Sequence, residues 1–177
     1  MESKLAEHLA HVRHLREAFA AANERLVARL RRTDDAAAEA RAEGAWSAAQ
    51  IGWHVARVST QFAGLISGER PGAEPLPDGF RAREWTAIAA EIPDRLQAPR
   101  GVEPPAAVRR AEAIAELEAS GVRMARAFDR LTPDRGGGFG ITSPIVGGTI
   151  TLFQLCEWAT AHVIRHNRQA KRVLGEG

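Results

Sequence analysis

The spacing of apolar residues along the chain predicts four long amphipathic helices. In the first, over about residues 4–32, apolar residues recur at gaps of three, four and seven, which places them on one helical face. The residues on this face are Leu5, Leu9, Val12, Leu15, Phe19, Leu26 and Leu30. The pattern therefore predicts a long helix that packs one side against a core.

The second predicted helix begins at a Ser-x-x-Gln sequence. Ser47 can accept a hydrogen bond from the amide of Gln50 while the Gln50 side chain reaches back, which forms a capping box. Trp46 and Ile51 occupy the two positions of a hydrophobic staple. The helix is predicted to end near residues 67–68, where a glycine follows a serine. Its inward positions are Val55, Val58, Phe62 and Leu65.

The third and fourth helices are predicted over about residues 106–131 and from Thr151 to Gly175. The fourth has a second capping box, with Gln154 three residues after Thr151. Between them, the glycine-rich stretch 133–140 follows a helix and lacks the Lys-Ser/Thr pair of a phosphate-binding loop, so it predicts a flexible turn. The apolar face of the third helix consists of Val108, Ile114, Leu117, Val122, Met124, Phe128 and Leu131.

Residues 69–105 contain seven of the nine prolines and predict a long crossover loop between helices two and three. One short helix is expected there, around Glu84 to Leu96. Connections this long inside a compact domain are often functional or cover a pocket. Because no hairpin pattern is evident, the chain is predicted to be all-α, a single four-helix bundle domain over residues 1–177.

Charge and composition exclude several classes of partner. The 24 basic residues are scattered among 22 acidic ones, and the formal net charge is only +2 although the pI is near 9.3. The densest basic run, Arg29 to Arg32, is followed at once by two aspartates, whereas a nucleic-acid surface usually carries a longer basic patch. No stretch has transmembrane length, no apolar leader is evident, and the single cysteine suits a reducing compartment. We therefore expect a cytoplasmic protein that binds neither nucleic acid nor membrane.

Three histidines are predicted to point into the core. His162 and His166 are four residues apart, so they lie roughly 40° apart on one face of the fourth helix. That face also carries Leu155 and Trp158. On the second helix, His54 lies on the apolar side that contains Ile51 and Val58.

A buried imidazole must satisfy its ring nitrogens, or its burial costs free energy. Three inward histidines call for a shared explanation, and a divalent cation supplies one because imidazole is the commonest protein metal ligand. Three protein ligands leave a coordination position open, as in catalytic sites. The alternative is a core in which the imidazoles pack and hydrogen-bond among tryptophans 46, 53 and 158.

Other polar residues near these positions are weaker candidates. His8, His11 and His14 are splayed over too wide an arc of the first helix, so they are predicted to be surface residues. Cys156 lies about 120° from His162 around the helix and is interpreted as a small buried apolar residue. Glu157 also points away, so no acidic residue is assigned as a general base. Arg165, about 60° from His162, could steer a carboxylate or simply be a surface arginine.

Three segments carry a resemblance to a known family. They are Trp46-Ser47 followed by His54, the segment 148–154, and His162-Val-Ile-Arg-His166. In these, and over essentially its whole length, the chain resembles the DinB/YfiT-like family of metal-dependent enzymes. The resemblance implies a four-helix bundle with one divalent metal ion held by His54, His162 and His166, and a homodimer as a possible assembly.

The resemblance also implies a reaction class. The better understood members of the family use low-molecular-weight thiols as S-transferases or as a thiol-dependent isomerase. The expected activity is therefore thiol transfer to a small-molecule electrophile, with zinc or nickel expected first as the metal and iron also accepted. Two alternatives stay open: a metal-dependent hydrolase or isomerase on the same site, and a non-catalytic, stress-associated helical bundle.

Overall fold

The computed structural model describes residues 2–93 and 96–176, without the side chains of residues 2–5 and 8. The described chain is mostly helical and contains a small three-stranded sheet. The helices are α1 (Glu2–Arg32), α2 (Asp35–Glu39), α3 (Ala48–Ser67), α4 (Trp85–Glu91), α5 (Arg110–Arg130), α6 (Pro133–Gly138) and α7 (Leu152–Val173). The strands are β1 (Glu74–Pro75), β2 (Phe139–Ser143) and β3 (Gly148–Thr151), with a single 3₁₀ turn, Pro144–Val146, between the last two.

The four long helices α1, α3, α5 and α7 are arranged in a ring. Helix α1 and helix α3 lie on opposite sides of it, and each of them packs against both α5 and α7. Helix α3 runs parallel to α5, since Gln50 at its start bonds to Pro105 just before α5, while Glu69 after its end pairs with Arg130. Helix α7 runs antiparallel to α3, because His54 meets His162 whereas Phe62, further along α3, meets Trp158.

Most of the predicted apolar positions form the core. The largest fully buried side chains include Leu26 and Leu30 of α1, Ile51 of α3 and Leu117 of α5. Two apolar predictions were wrong, since Leu9 is 47% exposed and Val122 is 53% exposed. The side chain of Leu5 lies outside the described residues. Within the described part of the chain, no helix is long and apolar enough to cross a membrane.

Both predicted capping boxes are confirmed. The Ser47 hydroxyl accepts from the Gln50 amide at 3.1 Å, and the Gln50 side chain accepts from the Ser47 amide at 2.9 Å. Thr151 and Gln154 make the same reciprocal pair, both at 3.1 Å. Each box satisfies amides that would otherwise lack partners at a helix start, so the first turns of α3 and α7 are fixed.

The glycine-rich stretch is not a flexible turn, which corrects the sequence interpretation. It forms helix α6, whose start is capped by Thr132, and then continues into β2. Strand β2 lies between β1 and β3 and is antiparallel to both, with Gly140 opposite Glu74 and Thr151. A side chain at Gly140 would collide with the backbone of Ile150, so glycine is required for this close approach.

The segment between α3 and α5 contains β1 and the short helix α4, which lies inside the range predicted for a helix. The end of that predicted range includes residues 94–95, which lie outside the described part of the chain. Ile88 of α4 is buried, and Val102, near the end of the segment, is also buried. The segment therefore packs onto the long helices at two points, and the second point borders the histidines.

Candidate metal centre

The three predicted histidines meet between α3 and α7. His54 is 5% exposed, and His162 and His166 are half-buried. The Nε2 atoms of His54 and His162 lie 3.2 Å apart, and the ring of His166 is centred 4.8 Å from that of His54. One ring nitrogen from each of the three lies within 4.8 Å of the others, so together they could hold a metal ion.

The capped helix starts bring these side chains together. The Gln50 side-chain amide donates to the carbonyls of Pro105 and Ala106, which anchors the first turn of α3 to the segment before α5. The Gln154 side-chain amide donates to the carbonyl of Arg83 and anchors the first turn of α7 beside α4 in the same way. His54 follows Gln50 by one turn of α3, so the anchor made by Gln50 sets the position of His54.

Two of the imidazoles have their Nδ1 atoms fixed by hydrogen bonds. His54 Nδ1 donates to the carbonyl of Val102 at 2.7 Å, because a carbonyl oxygen can only accept. His166 Nδ1 lies 2.8 Å from Oε1 of Gln169 and donates to it. In the neutral ring the proton is then on Nδ1, and Nε2 presents a lone pair. Metal-binding histidines typically have such an outer partner, which sets both tautomer and orientation.

The third imidazole has a different environment. His162 Nδ1 is buried and has no hydrogen-bond partner among the described residues, and its Nε2 faces the Nε2 of His54. Without an ion, His162 can donate its Nε2 proton to the lone pair on His54, which leaves its own Nδ1 as an unpaired buried acceptor. An unpaired buried acceptor is destabilising.

The donor set fits a divalent cation. Nitrogens bound at 2.0–2.1 Å in a tetrahedral zinc site lie about 3.4 Å apart. The His54 and His162 nitrogens, 3.2 Å apart, are already at nearly that spacing. The widest separation in the group, up to 4.8 Å, would have to shorten by about 1.4 Å on binding. Three imidazoles accept zinc, nickel, copper or iron, so the ligands do not select one metal.

Burial keeps all three rings neutral near pH 7. Desolvation is the largest cause of the lowered pKa of each imidazole. At His54 the hydrogen bond to the Val102 carbonyl raises the pKa and opposes this effect. The pKa of His162 is lowered well below the usual value, by desolvation and then by the neighbouring His166 and His54. Desolvation and the nearby His54 lower the pKa of His166 to about 4, although the hydrogen bond to Gln169 raises it. Neutral imidazole is the form that binds metal.

The comparison with protein families agrees with this geometry. A model of the DinB superfamily matches residues 18–170, which include all three histidines. The chain belongs to the DinB superfamily. The resemblance noted in the sequence is thereby confirmed at the level of the family. No curated protein matches the chain closely enough to add a more specific relative.

The weaker sequence candidates of this DinB-superfamily protein lie outside the centre. His11 and His14 are exposed, as predicted, and His11 is 3.1 Å from Oε1 of Glu157. Glu157 is thus engaged with α1 and not with the imidazoles. Cys156 is fully buried, and desolvation raises the pKa of its thiol, which leaves it unreactive. The side chain of His8 lies outside the described residues.

Arg165 is held by the crossover segment. Its Nη1 donates to the carbonyl of Pro93 at 3.2 Å. The arginine is close enough to the centre that its charge lowers the pKa of both His162 and His166. The segment before α5 therefore meets α7 beside the histidines, which places a cation at the edge of the centre.

Two partners of the DinB-type centre were missed in the sequence. Gln169 follows His166 by three residues, a spacing that brings side chains together on a helix, so the pattern His-x-x-Gln could have indicated it. The carbonyl of Val102 carries no sequence pattern, because any residue there offers the same oxygen. Only the fold of the segment between α3 and α5 brings that carbonyl to His54.

Proposed function

We propose that this protein is a divalent-metal-dependent enzyme that transfers a low-molecular-weight thiol to a small-molecule electrophile. The proposal depends first on the three converging imidazoles, two of which have their Nδ1 atoms occupied by outer acceptors. Such an arrangement prepares nitrogen lone pairs for a cation. The thiol and the electrophile come from the family resemblance, and they stay predictions, as do a homodimer and a cytoplasmic location.

The protein's own residues would hold the ion and limit access to it. His54, His162 and His166 would supply the ligands, and a bound divalent cation would supply a Lewis acid with open positions, where the pKa of a bound thiol or water is lowered. Trp46 packs its ring 4.9 Å from that of His54. Trp158 precedes His162 by one turn of α7, and its ring lies 5.1 Å from the ring of Phe62 on α3. These rings reduce the water around the centre and thus strengthen electrostatic interactions there.

The proposed reaction is a substitution. The thiol sulfur forms a bond to an electrophilic carbon, the leaving group departs with its electron pair, and the thiol proton passes to solvent. Neither Cys156, which is buried, nor Glu157, which pairs with His11, is placed to supply the nucleophile or a general base. The nucleophile is therefore proposed to come from the cosubstrate.

We also propose that the ring of α1, α3, α5 and α7 is the four-helix bundle expected for this family, with residues 69–105 as its crossover loop. The parallel course of α3 and α5 supports this, because parallel neighbours need a long return connection. The contacts of Val102 with His54 and of Pro93 with Arg165 would then make this loop one wall of the centre.

The first test is the metal content of tag-free protein, measured by mass spectrometry beside a His162→Ala/His166→Ala variant. We expect close to one equivalent of a divalent metal in the native protein and almost none in the variant. A His11→Ala/His14→Ala variant, with the same number of histidines removed from the surface, should retain the metal. Native protein that takes up neither zinc nor nickel would contradict the proposal.

The second test separates thiol transfer from the other uses of the same centre. Metal-loaded protein is supplied with a fluorogenic haloalkyl electrophile and, in turn, cysteine, glutathione, bacillithiol or mycothiol. We expect turnover that requires one of these thiols and is lost in the double variant. Turnover without any thiol would favour a hydrolase or isomerase, and metal binding without turnover across a broad electrophile panel would favour the non-catalytic alternative.

A further inference from the structure

A polar cleft lies between the C-terminal halves of α3 and α5. Its volume is about 400 Å³, within the usual size range of small-molecule pockets. Among the described residues, four arginines and one acidic residue, Glu69, line it. The arginines are Arg70, Arg123, Arg126 and Arg130. Since acidic and basic residues are nearly balanced over the whole chain, this is a local excess of positive charge.

Most of this charge has no acidic partner among the described residues. Arg130 donates to Glu69 at 2.8 Å. Among residues 2–93 and 96–176, the other three arginines of the cleft make no ion pair. Asp129, which precedes Arg130 on α5, instead accepts from Arg16 of α1 at 3.3 Å. The cleft therefore carries about three uncompensated positive charges on facing elements.

The spacing on α5 makes this arrangement unfavourable without an anion. Arg123, Arg126 and Arg130 are three and four residues apart, so they are neighbours along one face, and like charges at these spacings destabilise a helix. The helix dipole favours Arg130, in the last turn. It does not explain Arg123, which lies two turns earlier. A bound anion would remove the repulsion between all three.

We propose that this cleft binds a small multivalent anion of the phosphate class, such as a phosphate monoester or a diphosphate. Guanidinium groups bind phosphate oxygens through paired, charge-assisted hydrogen bonds, and several around one cavity can contact several oxygens at once. Thr60 and Gln61 add a hydroxyl and an amide to the lining. A monovalent carboxylate would leave most of the charge uncompensated.

The cleft is separate from the histidine centre. Gly64, in the middle of its α3 wall, follows His54 by ten residues, or about 15 Å along the helix. The cleft also opens between α3 and α5, whereas the imidazoles lie between α3 and α7. The anion-binding proposal can therefore be tested independently of the metal chemistry.

The test is calorimetric titration of the full chain with pyrophosphate and with inorganic phosphate, at constant ionic strength set by chloride. We expect saturable binding in the native protein, weakened at least about tenfold in Arg123→Gln/Arg126→Gln. The matched control is Arg13→Gln/Arg25→Gln, which removes two exposed arginines of α1 and should bind as the native protein does. No saturable binding, or equal losses in both variants, would overturn the proposal.

Two further measurements separate this role from others. Without anion, the cleft variant should melt at the native temperature or slightly higher, because a repulsion has been removed. A lower melting temperature with unchanged affinity would assign the arginines a structural role and overturn the proposal. Vesicles of phosphatidylcholine, with and without phosphatidic acid, then test whether the phosphate group belongs to a lipid or to a soluble ligand. If the cleft binds a lipid headgroup, only the vesicles with phosphatidic acid should displace pyrophosphate. If it binds a soluble ligand, neither kind of vesicle should.

Discussion

Two groups of histidines in this protein have similar sequence spacing and opposite environments. On α1, His11 and His14 are separated by three residues, but both are exposed, and His11 meets the carboxylate of Glu157. On α7, His162 and His166 are separated by four residues, half-buried, and joined by His54 from another helix. Spacing along one helix is therefore not sufficient to build a group of imidazoles that could hold a metal ion. The third imidazole of the group is that of His54, which is distant in sequence and lies on a facing helix.

The two groups also differ in what surrounds the rings. The His11 ring is exposed and lies 3.1 Å from Oε1 of Glu157. The buried rings have neutral acceptors at their outer nitrogens, a carbonyl at His54 and an amide at His166. Burial lowers the pKa of these rings more than the two hydrogen bonds raise it, and thereby keeps them in the neutral form that can bind metal. Each of the following experiments tests one part of this contrast.

The largest expected effect is stabilisation by metal. Zinc or nickel at about a hundred times its dissociation constant should stabilise the native fold by about 2.7 kcal/mol. For a chain of this length, that is roughly a 5 to 10 °C rise in melting temperature. The increment should disappear in His166→Ala and persist in His14→Ala, measured by thermal denaturation with and without chelator. An equal increment in both variants would show that the stabilising metal binds elsewhere.

The second experiment removes an outer partner and leaves the ligands intact. Gln169→Leu should weaken metal binding about 10- to 100-fold, because His166 Nδ1 loses the acceptor that orients the ring. Gln169→Glu should bind at least as tightly as the native protein, since its carboxylate also accepts. Competition with a chelating dye measures both affinities, and Gln97→Leu, at an exposed position, is the control. Unchanged metal affinity in Gln169→Leu would show that the contact between Gln169 and His166 does not contribute to metal binding.

The sequence predicted these candidate ligands because helical geometry is local. Periodicity placed His162 and His166 on one inward face, and the capping box before His54 fixed where its helix begins. The Val102 carbonyl could not be predicted in this way. Its position depends on how residues 69–105 fold back onto α3, which is a contact between residues far apart in the sequence.

The sheet was missed for a related physical reason. Strands β2 and β3 are only five and four residues long, and β2 also pairs with β1, more than sixty residues earlier. The glycines before β2 suggested a flexible turn. One of them, Gly140, is needed instead because β3 passes close to its backbone. Such a requirement is visible only once the partner strand is in place.

A third experiment uses pH on metal-free protein. The pKa of His166 is about 4 in the folded chain and near 6.5 when unfolded. Between these values the unfolded chain binds a proton that the folded chain does not, so stability falls as pH is lowered from 6.5 to 4. His166→Gln should reduce this slope by up to about 1.4 kcal/mol per pH unit. Urea unfolding at pH 7, 6 and 5 measures it, and an unchanged slope in His166→Gln would contradict the prediction.

The smallest expected effect concerns the exposed histidine of α1. His11→Ala removes a pair with Glu157 in which the imidazole side chain is 47% exposed, and such surface pairs contribute at most about 1 kcal/mol. Urea unfolding at pH 7 measures the loss, and metal affinity in the same variant should equal that of the native protein. A variant that lost metal would mean that His11 acts on the centre through Glu157 and α7, and the separation between the two groups of histidines would no longer hold.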